Sequence, residues 1–146
     1  MTIYYWANRL YRWRLLPLAR ICELALFLTC GTRVPCETEV GAGRILAHGG
    51  NEVVIHPRAR IGSNVIIHQQ VTIGGGAGGS SGVPVIEDDV YLGAGCKILG
   101  DAVIGHDLVV GANSMVLESV PPGSVVAGVP ARLVRSDVGA HSVENW

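Results

Sequence analysis

Branched aliphatic residues recur at every sixth position over most of the chain. Neither the 3.6-residue period of a helix nor the two-residue period of a strand accounts for this spacing over such a length. A six-residue repeat is typical of a parallel β-helix, in which each hexad supplies one short strand and one corner. The pattern therefore predicts an all-β solenoid whose aliphatic side chains stack inside a narrow prism. The positions are Val34, Val40, Leu46, Ile55, Ile61, Ile67, Ile73, Ile86, Leu92, Ile98, Ile104, Val110 and Val116.

Glycine directly follows many of these aliphatic residues, and another small or aliphatic side chain lies four positions after them. We interpret the glycine as permitting a tight bend at each corner, because it lacks a Cβ. No single coil can bury its own apolar face, so stability is expected from the stacking of neighbouring coils. The glycines are Gly41, Gly62, Gly74, Gly93, Gly105 and Gly111.

Two insertions interrupt the period. Three extra residues lie between Leu46 and Ile55, and seven lie between Ile73 and Ile86. The second insertion is rich in glycine, so it predicts a mobile, extruded loop, and long loops on a rigid scaffold are usually functional. The predicted units are an N-terminal helical arm at 1–33, a β-helix at 34–130 with its Gly-rich loop at 74–84, and a C-terminal tail at 131–146.

The N-terminal arm concentrates the aromatic residues and the arginines. Six of the eight aromatic residues precede residue 28, and four arginines accompany a single acid, Glu23. The apolar run at 21–30 is shorter than the span of about 20 residues that a bilayer requires, and we expect no signal peptide. Two interpretations stay open: the arm caps the first coil, or it makes peripheral contact with a membrane as an interfacial helix. We favour capping.

The composition narrows the function classes. The chain is 49% apolar and 16% charged, with a formal net charge of −1. These values exclude disorder and argue against a nucleic-acid surface, because phosphate neutralisation needs a basic excess. The four cysteines form no C-x-x-C pair, so neither a zinc nor a redox motif is expected. The simplest interpretation is a cytoplasmic protein with reduced thiols.

Three segments resemble a known family. They are Val71–Gly75, the run at 93–100 that reads GAGCKILG, and the run at 127–132 that reads AGVPAR. Together with the hexads they resemble the serine acetyltransferase branch of the hexapeptide-repeat acyltransferases, over roughly residues 33–135. The resemblance implies a left-handed parallel β-helix, a homotrimer with active sites between subunits, and acetyl-coenzyme A as the acetyl donor. Periodicity alone gives none of these three properties.

The resemblance also implies a catalytic residue, because His48 lies where the family carries its catalytic histidine. A neutral imidazole can take the proton from an acceptor hydroxyl as that oxygen attacks a thioester carbonyl. The structural alternative for His48 is a corner histidine that bonds to the backbone of the following bulge. His56, His68, His106 and His141 are interpreted as structural. His68 follows a corner residue one coil beyond His48, however, and could face the same groove.

Stacking predicts where the donor lies. Three hexads make one coil, so His48, Gln69, Ala94 and Ala112 are expected on one corner, in a line that suits a long pantetheine arm. The resemblance implies that the coenzyme runs along such an edge. The alternative for each small residue is plain corner packing, and for Arg132 a solvated end of the solenoid. The implied contacts are Thr72, Gly74, Gly75, Ala94, Gly95 and Ala112, with Lys97 and Arg132 as candidates for the phosphate groups.

Departures from the family pattern bear on the acceptor. Ala47 stands where the family has an aspartate, and the stretch at 80–84 lacks the Arg-His pair that holds the serine carboxylate. The family's acid partner for the histidine aligns near Arg33, which leaves Glu37 or a neighbouring subunit to orient the ring. Each loss removes charge-assisted contacts to an amino acid. We therefore expect O-acetyl transfer to a sugar or exopolysaccharide hydroxyl, with serine O-acetyltransferase as the alternative.

Two further expectations concern metals and partners. A metal enzyme or an inert scaffold on the same prism is a third interpretation, but a zinc site needs converging histidines, and no His-x4-His spacing occurs. We expect no metal. Serine acetyltransferases typically end in an isoleucine that enters the sulfhydrylase active site, whereas this chain ends in Trp146. A pocket shaped for isoleucine would reject an indole, so we expect no complex with a cysteine synthase.

Overall fold

The computed structural model describes residues 2–43, 46–76 and 82–136. Within these ranges two α-helices are followed by thirteen short β-strands, and a 3-10 turn at Ala47–Gly50 lies between the first two strands. The helices and strands are α1 (Thr2–Arg12), α2 (Leu16–Cys30), β1 (Glu39–Val40), β2 (Val54–Ile55), β3 (Arg60–Ile61), β4 (Ile66–Ile67), β5 (Thr72–Gly74), β6 (Val85–Ile86), β7 (Tyr91–Leu92), β8 (Lys97–Leu99), β9 (Val103–Ile104), β10 (Val109–Val110), β11 (Met115–Val116), β12 (Val125–Ala127) and β13 (Arg132–Arg135).

The strands form three parallel sheets that the chain visits in turn. The first sheet holds β1, β3, β6 and β9, the second holds β4, β7, β10 and β12, and the third holds β2, β5, β8 and β11. Strands three hexads apart pair in register, as Leu92 does with Val110. The register is kept across the seven-residue insertion, because Ile61 pairs with Ile86. The predicted stacking of hexads that lie three apart in the sequence, as parallel strands, is confirmed.

The sixth-position aliphatic side chains form one continuous core. Ile67, Ile73, Leu92 and Ile98 are completely buried, as are residues four positions after an aliphatic, such as Cys96. Burial of one such isoleucine or leucine side chain contributes about 1.5–3 kcal/mol relative to exposure. Each hexad therefore adds a similar increment to the free energy of unfolding.

Several of the glycines that follow an aliphatic residue are required by the next coil rather than by their own backbone angle. A Cβ on Gly93 would lie 2.6 Å from the backbone nitrogen of Ala112, and one on Gly105 would lie 2.5 Å from that of Pro122. Neither glycine has a positive φ. Close stacking thus replaces the tight bend as the reason for these glycines. Left-handed corners instead carry polar residues that tolerate positive φ. They are Asn64, Gln70, Asp89, Asp107 and Asn113.

The two helices pack against the start of the first coil. The Tyr4 hydroxyl donates a hydrogen bond of 3.0 Å to the carbonyl oxygen of Thr38, and Asn8 Nδ2 donates one of 2.8 Å to that of Cys36. Ala7 and Cys36 are completely buried at this junction. These are contacts expected of an arm that caps the first coil. Neither described helix is long and apolar enough to cross a membrane.

The segment that we predict as a C-terminal tail begins with a strand. β13 pairs antiparallel with β12, and Arg132 lies opposite Ala127. This strand therefore extends the edge of the second sheet beyond residue 130. Residues 77–81 of the predicted loop and residues 137–146 of the predicted tail, including His141 and Trp146, lie outside the described residues.

Candidate active site

The three-residue insertion after Leu46 forms the 3-10 turn that carries His48. Leu46 still pairs with Ile67 of the second sheet, so the insertion leaves the stack undisturbed. His48 (φ 49°) and Gly49 (φ 76°) both have left-handed backbone angles. A Cβ at Gly50 would lie 2.8 Å from Cδ1 of Leu46, so this position has no room for another residue. The turn leaves the His48 side chain exposed.

The turn is tied to the chain that follows α2. The Thr32 hydroxyl donates a hydrogen bond to the carbonyl oxygen of Gly50, and the Glu52 N–H donates one of 2.8 Å to that of Cys30. Thr32 is itself 2% exposed. The position of His48 therefore depends on the junction between α2 and the first coil.

Three aromatic rings from successive coils form a column, which we call the ring column: His48, His68 and Tyr91. The ring centroids of His48 and His68 are 5.5 Å apart, with an interplanar angle of 52°. Those of His68 and Tyr91 are 4.9 Å apart, with an angle of 49°. His68 follows β4, and Tyr91 belongs to the paired strand β7. His68 thus lies between the other two rings, in contact with both.

The environment of His68 favours its neutral form. Burial lowers the pKa of His68, and a positive charge on His48 lowers it further. A histidine with a pKa below 6.5 is predominantly uncharged at physiological pH. Within the described residues His48 has no hydrogen-bond or ion-pair partner, and its observed side-chain contact is the ring of His68.

We call the connections from the second sheet to the third the His48 corner; they comprise residues 47–53, 68–71, 93–96 and 111–114. Backbone hydrogen bonds link them: Gly95 N–H donates to Gln69 O (2.9 Å), and Asn113 N–H donates to Ala94 O (2.8 Å). Since stacked strands lie about 4.8 Å apart, Ala112 lies about 14 Å along the corner from the His48 turn. The buried Oε1 of Gln69 has no hydrogen-bond partner within the described residues.

The structure brings the predicted coenzyme contacts to this corner and to the adjoining third sheet. Ala94, Gly95 and Ala112 lie on the corner itself. Thr72 and Gly74 belong to β5, with Gly75 directly after it, and Thr72 is paired with Lys97 of β8. Lys97 Nζ donates a hydrogen bond of 3.3 Å to Gly95 O. Arg132 lies further along, because β13 follows β10 and β12 on the second sheet.

Acidic side chains concentrate on a different corner, between the first sheet and the second. There Asp88 Oδ1 accepts a hydrogen bond of 2.6 Å from the Ser63 N–H, and Glu87 Oε2 accepts one of 2.9 Å from the His106 N–H. Asp89 accepts from the side chain of Asn64. The two predicted phosphate contacts, Lys97 and Arg132, are therefore separated from this acidic corner.

Two other histidines make local contacts consistent with a structural role. His56 Nδ1 accepts a hydrogen bond of 3.2 Å from the Arg58 N–H in the turn after β2. His106 Nδ1 lies 2.8 Å from Asp107 Oδ2 at the acidic corner. The hydrogen bond to Asp107 raises the pKa of the exposed His106. Neither residue belongs to the ring column.

The acid suggested by the sequence as an orienting group is engaged elsewhere. Arg20 forms ion pairs with Glu37 Oε1 (2.6 Å) and Glu23 Oε2 (2.7 Å). Cys36 Sγ lies 3.7 Å from Glu37 Oε2, and its burial raises the thiol pKa to about 12. Glu23, Cys36 and Glu37 lie close enough to hold a metal ion, but both carboxylates already form ion pairs with Arg20. This cluster links α2 to the first coil.

Comparison with known proteins supports the resemblance that the sequence motifs indicate. A family model described as bacterial transferase hexapeptide (six repeats) matches residues 84–118. The chain is 38% identical to serine acetyltransferase of Staphylococcus xylosus over 132 residues, which cover 90% of this chain and 61% of the relative. Residues 84–118 thus carry the hexapeptide repeat of bacterial transferases, and over most of its length the chain is similar to serine acetyltransferases. It is also 38% identical to serine acetyltransferase of Mycobacterium tuberculosis, covering 88% of this chain and 58% of the relative.

Solved structures of serine acetyltransferases share its fold. The serine acetyltransferase of Brucella abortus superposes with a TM-score of 0.82 at 32% identity, covering 92% of this chain and 54% of that one. The soybean serine acetyltransferase apoenzyme superposes with a TM-score of 0.81 at 38% identity, covering 90% of this chain and 55% of that one. A serine acetyltransferase in complex with CoA superposes with a TM-score of 0.78 at 29% identity, covering 90% of this chain and 54% of that one. The chain spans about three fifths of the length of the curated relatives.

These likenesses correct the predicted acceptor. The expectation of a sugar or exopolysaccharide hydroxyl is wrong, because the relatives and the solved structures are serine acetyltransferases. The prediction relied on two missing local motifs, at Ala47 and at 80–84, and set them against a likeness that extends over 90% of the chain. A substrate carboxylate needs a cation in space, which the fold can supply from another position in the sequence.

The sequence interpretation missed the ring column. His68 comes directly after Ile67, and Tyr91 comes directly before Leu92, on strands that pair. The sequence contains the information needed to predict this alignment, because the two residues flank sixth-position aliphatics of successive coils. Recognising it required the register across the seven-residue insertion.

Proposed function

We propose that this chain is an acetyl-CoA-dependent serine O-acetyltransferase in which His48 is the general base. The observation that carries the proposal is the position of His48, exposed at the start of the His48 corner. The 38% identity to serine acetyltransferases supports serine as the acceptor. A neutral imidazole can take the proton of an acceptor hydroxyl as that oxygen attacks the thioester.

The proton has a complete path in this reaction. His48 accepts the proton of the serine hydroxyl as that oxygen forms a bond with the thioester carbonyl carbon. The carbon–sulfur bond breaks, and His48 returns the proton to the departing sulfur. O-acetylserine and coenzyme A with a free thiol are released, and His48 is neutral again. No protein nucleophile is required, because the thioester is already activated.

The His48 corner supports a binding site for the donor. Its small residues, Ala94, Gly95 and Ala112, lie on two neighbouring coils, about 4.8 Å apart along the corner. Lys97 and Arg132 offer cations for the phosphate groups.

The assembly that we propose is a homotrimer of left-handed coils. The exposure of His48 in the single chain supports a site that a neighbouring subunit closes. A neighbouring subunit is also a source for the group that binds the serine carboxylate. The arm then caps the first coil of each subunit, through the contacts of Tyr4 and Asn8.

The experiment that tests this function measures free thiol released from acetyl-CoA by the purified chain. We expect release that depends on L-serine, and mass spectrometry should show serine heavier by one acetyl group. Reactions without serine, and reactions with L-alanine in its place, control for hydrolysis of the thioester. Thiol release that is equal with and without serine would contradict serine as the acceptor.

A further inference from the structure

The ring column contains a second histidine with no role in the reaction above. His48 stands on an exposed turn, and within the described residues the ring of His68 is its observed side-chain contact. An exposed side chain populates several rotamers. A general base transfers a proton efficiently only when it is held in reach of the hydroxyl. The contact with His68 therefore restricts the orientation of the His48 ring, which must reach the substrate hydroxyl.

His68 is itself held in place. Its ring packs at 4.9 Å from that of Tyr91, a residue of strand β7 on the second sheet. β7 is bounded by β4 and β10, so its backbone is fixed on both sides. The ring column thus connects the exposed turn to a strand that is hydrogen-bonded on both sides.

We propose that His68 is a positioning residue, which packs between Tyr91 and His48 and holds the His48 ring in its reactive orientation. This inference rests on the proposed function of His48 as the general base. The role belongs to the ring of His68 as a packing surface. His68 neither gives nor takes the substrate proton.

The charge of His68 suits this role. Within the described residues the titratable groups that face its ring are His48 and Tyr91. His48 becomes a cation when it holds the substrate proton, and a second cation in contact would oppose that step. Burial keeps the pKa of His68 low, so the neighbour of His48 is neutral while the reaction proceeds.

The kinetic test compares His68→Ala with His68→Phe. His68→Ala removes the packing surface, and we expect kcat to fall about 10-fold while KM for acetyl-CoA changes less than twofold, because misorientation affects the chemical step. His68→Phe keeps a ring between Tyr91 and His48 and should restore at least half of kcat. His106→Ala, at the acidic corner, is the matched control and should retain wild-type kcat.

The His68→Phe variant separates positioning from proton transfer, because phenylalanine supplies a ring but no nitrogen that could hold a proton. Wild-type kcat in His68→Ala would overturn the proposal. So would a loss above 100-fold in both variants, which would make a ring nitrogen of His68 necessary.

A readout independent of turnover follows the His48 ring by NMR. Neighbouring rings shift the C2 proton of His48 in the native protein, and we expect this signal to move toward its free-histidine position in His68→Ala but not in His68→Phe. An unchanged signal in His68→Ala would overturn the ring contact. Absence of serine-dependent thiol release by the wild-type protein would instead overturn the proposed function, whatever the NMR result.

Discussion

At the level of single residues, the proposed chemistry depends on a turn that accepts an unusual backbone angle. His48 has φ 49°, a region that residues with a Cβ adopt infrequently. The two glycines that follow allow the chain to return to the stack within a few residues. The benefit is exposure: side chains on the paired strands alternate between core and surface, whereas the turn projects its histidine toward solvent. Ala47, which replaces the family's aspartate, leaves the ring of His68 as the contact for this side chain.

Replacement of the base gives the most direct residue-level prediction. His48→Ala should lower kcat about 100-fold or more, the effect of losing a general base, while acetyl-CoA still binds. Steady-state thiol release and calorimetric titration with acetyl-CoA measure the two quantities. His106→Ala serves as the control, since its ring contacts Asp107 at the acidic corner. Wild-type turnover of His48→Ala at saturating serine would contradict the assignment.

The pair of His106 and Asp107 gives a prediction about pH. The hydrogen bond to Asp107 raises the pKa of His106 above 6.5 in the folded state. Its contribution to stability is therefore complete below pH 6.5 and is lost as the pH rises through the raised folded value. NMR titration should give a midpoint above 6.5 in the wild type and a lower one in Asp107→Asn. Equal midpoints in the two proteins would contradict this coupling.

At the level of strands and corners, close stacking of coils explains the glycines. Gly93→Ala would place a Cβ 2.6 Å from the Ala112 nitrogen, a backbone atom that cannot move aside without separating two coils. We expect a loss of about 1–3 kcal/mol in the free energy of unfolding, as in other overpacked sites, measured by urea denaturation. Gly74→Ala is the matched control, because its Cβ would lie 3.7 Å from Leu99 Cδ2 and 4.0 Å from Thr72 Cγ2, which are ordinary van der Waals contacts. Equal stability of the two variants would contradict the stacking argument.

Some features of the fold and of the site could be predicted from the sequence, and others could not. The parallel pairing of hexads was predictable because each coil repeats the same burial, so the pattern persists from Val34 to Val116. The reason for the glycines could not be predicted, because it depends on the distance between coils rather than on the conformational preference of any residue. The ring contact of His48 with His68 likewise depends on how far the turn projects. Two missing motifs misled the choice of acceptor, since they carried no information about cations elsewhere in the fold.

At the level of the whole molecule, the arm and the stack depend on each other. Removal of residues 1–30 would expose Cys36 and Thr38 and would leave Glu37 without Arg20. We expect the truncated protein to aggregate or to lose its trimeric state, as measured by sizing chromatography with light scattering. Solenoid arrays with an uncapped end behave in this way.

The outcome also separates capping from membrane contact. The full-length protein and the truncated protein can both be sedimented with anionic lipid vesicles. A soluble, trimeric truncation that no longer sediments with the vesicles would contradict capping and favour an interfacial role for the arm.

The bonds from Thr32 to Gly50 and from Glu52 to Cys30 link the turn that carries His48 to the end of α2, at the first coil of the stack. In a linear array the end coil stacks on one coil instead of two, so it opens locally more often than the interior, even with an arm beside it. Amide protons around residues 47–55 should then exchange with deuterium sooner than those of β7 and β8. A donor lying along the His48 corner would span this coil and three inner ones. Its binding would therefore slow exchange mainly at the end where the base resides, coupling substrate occupancy to local order.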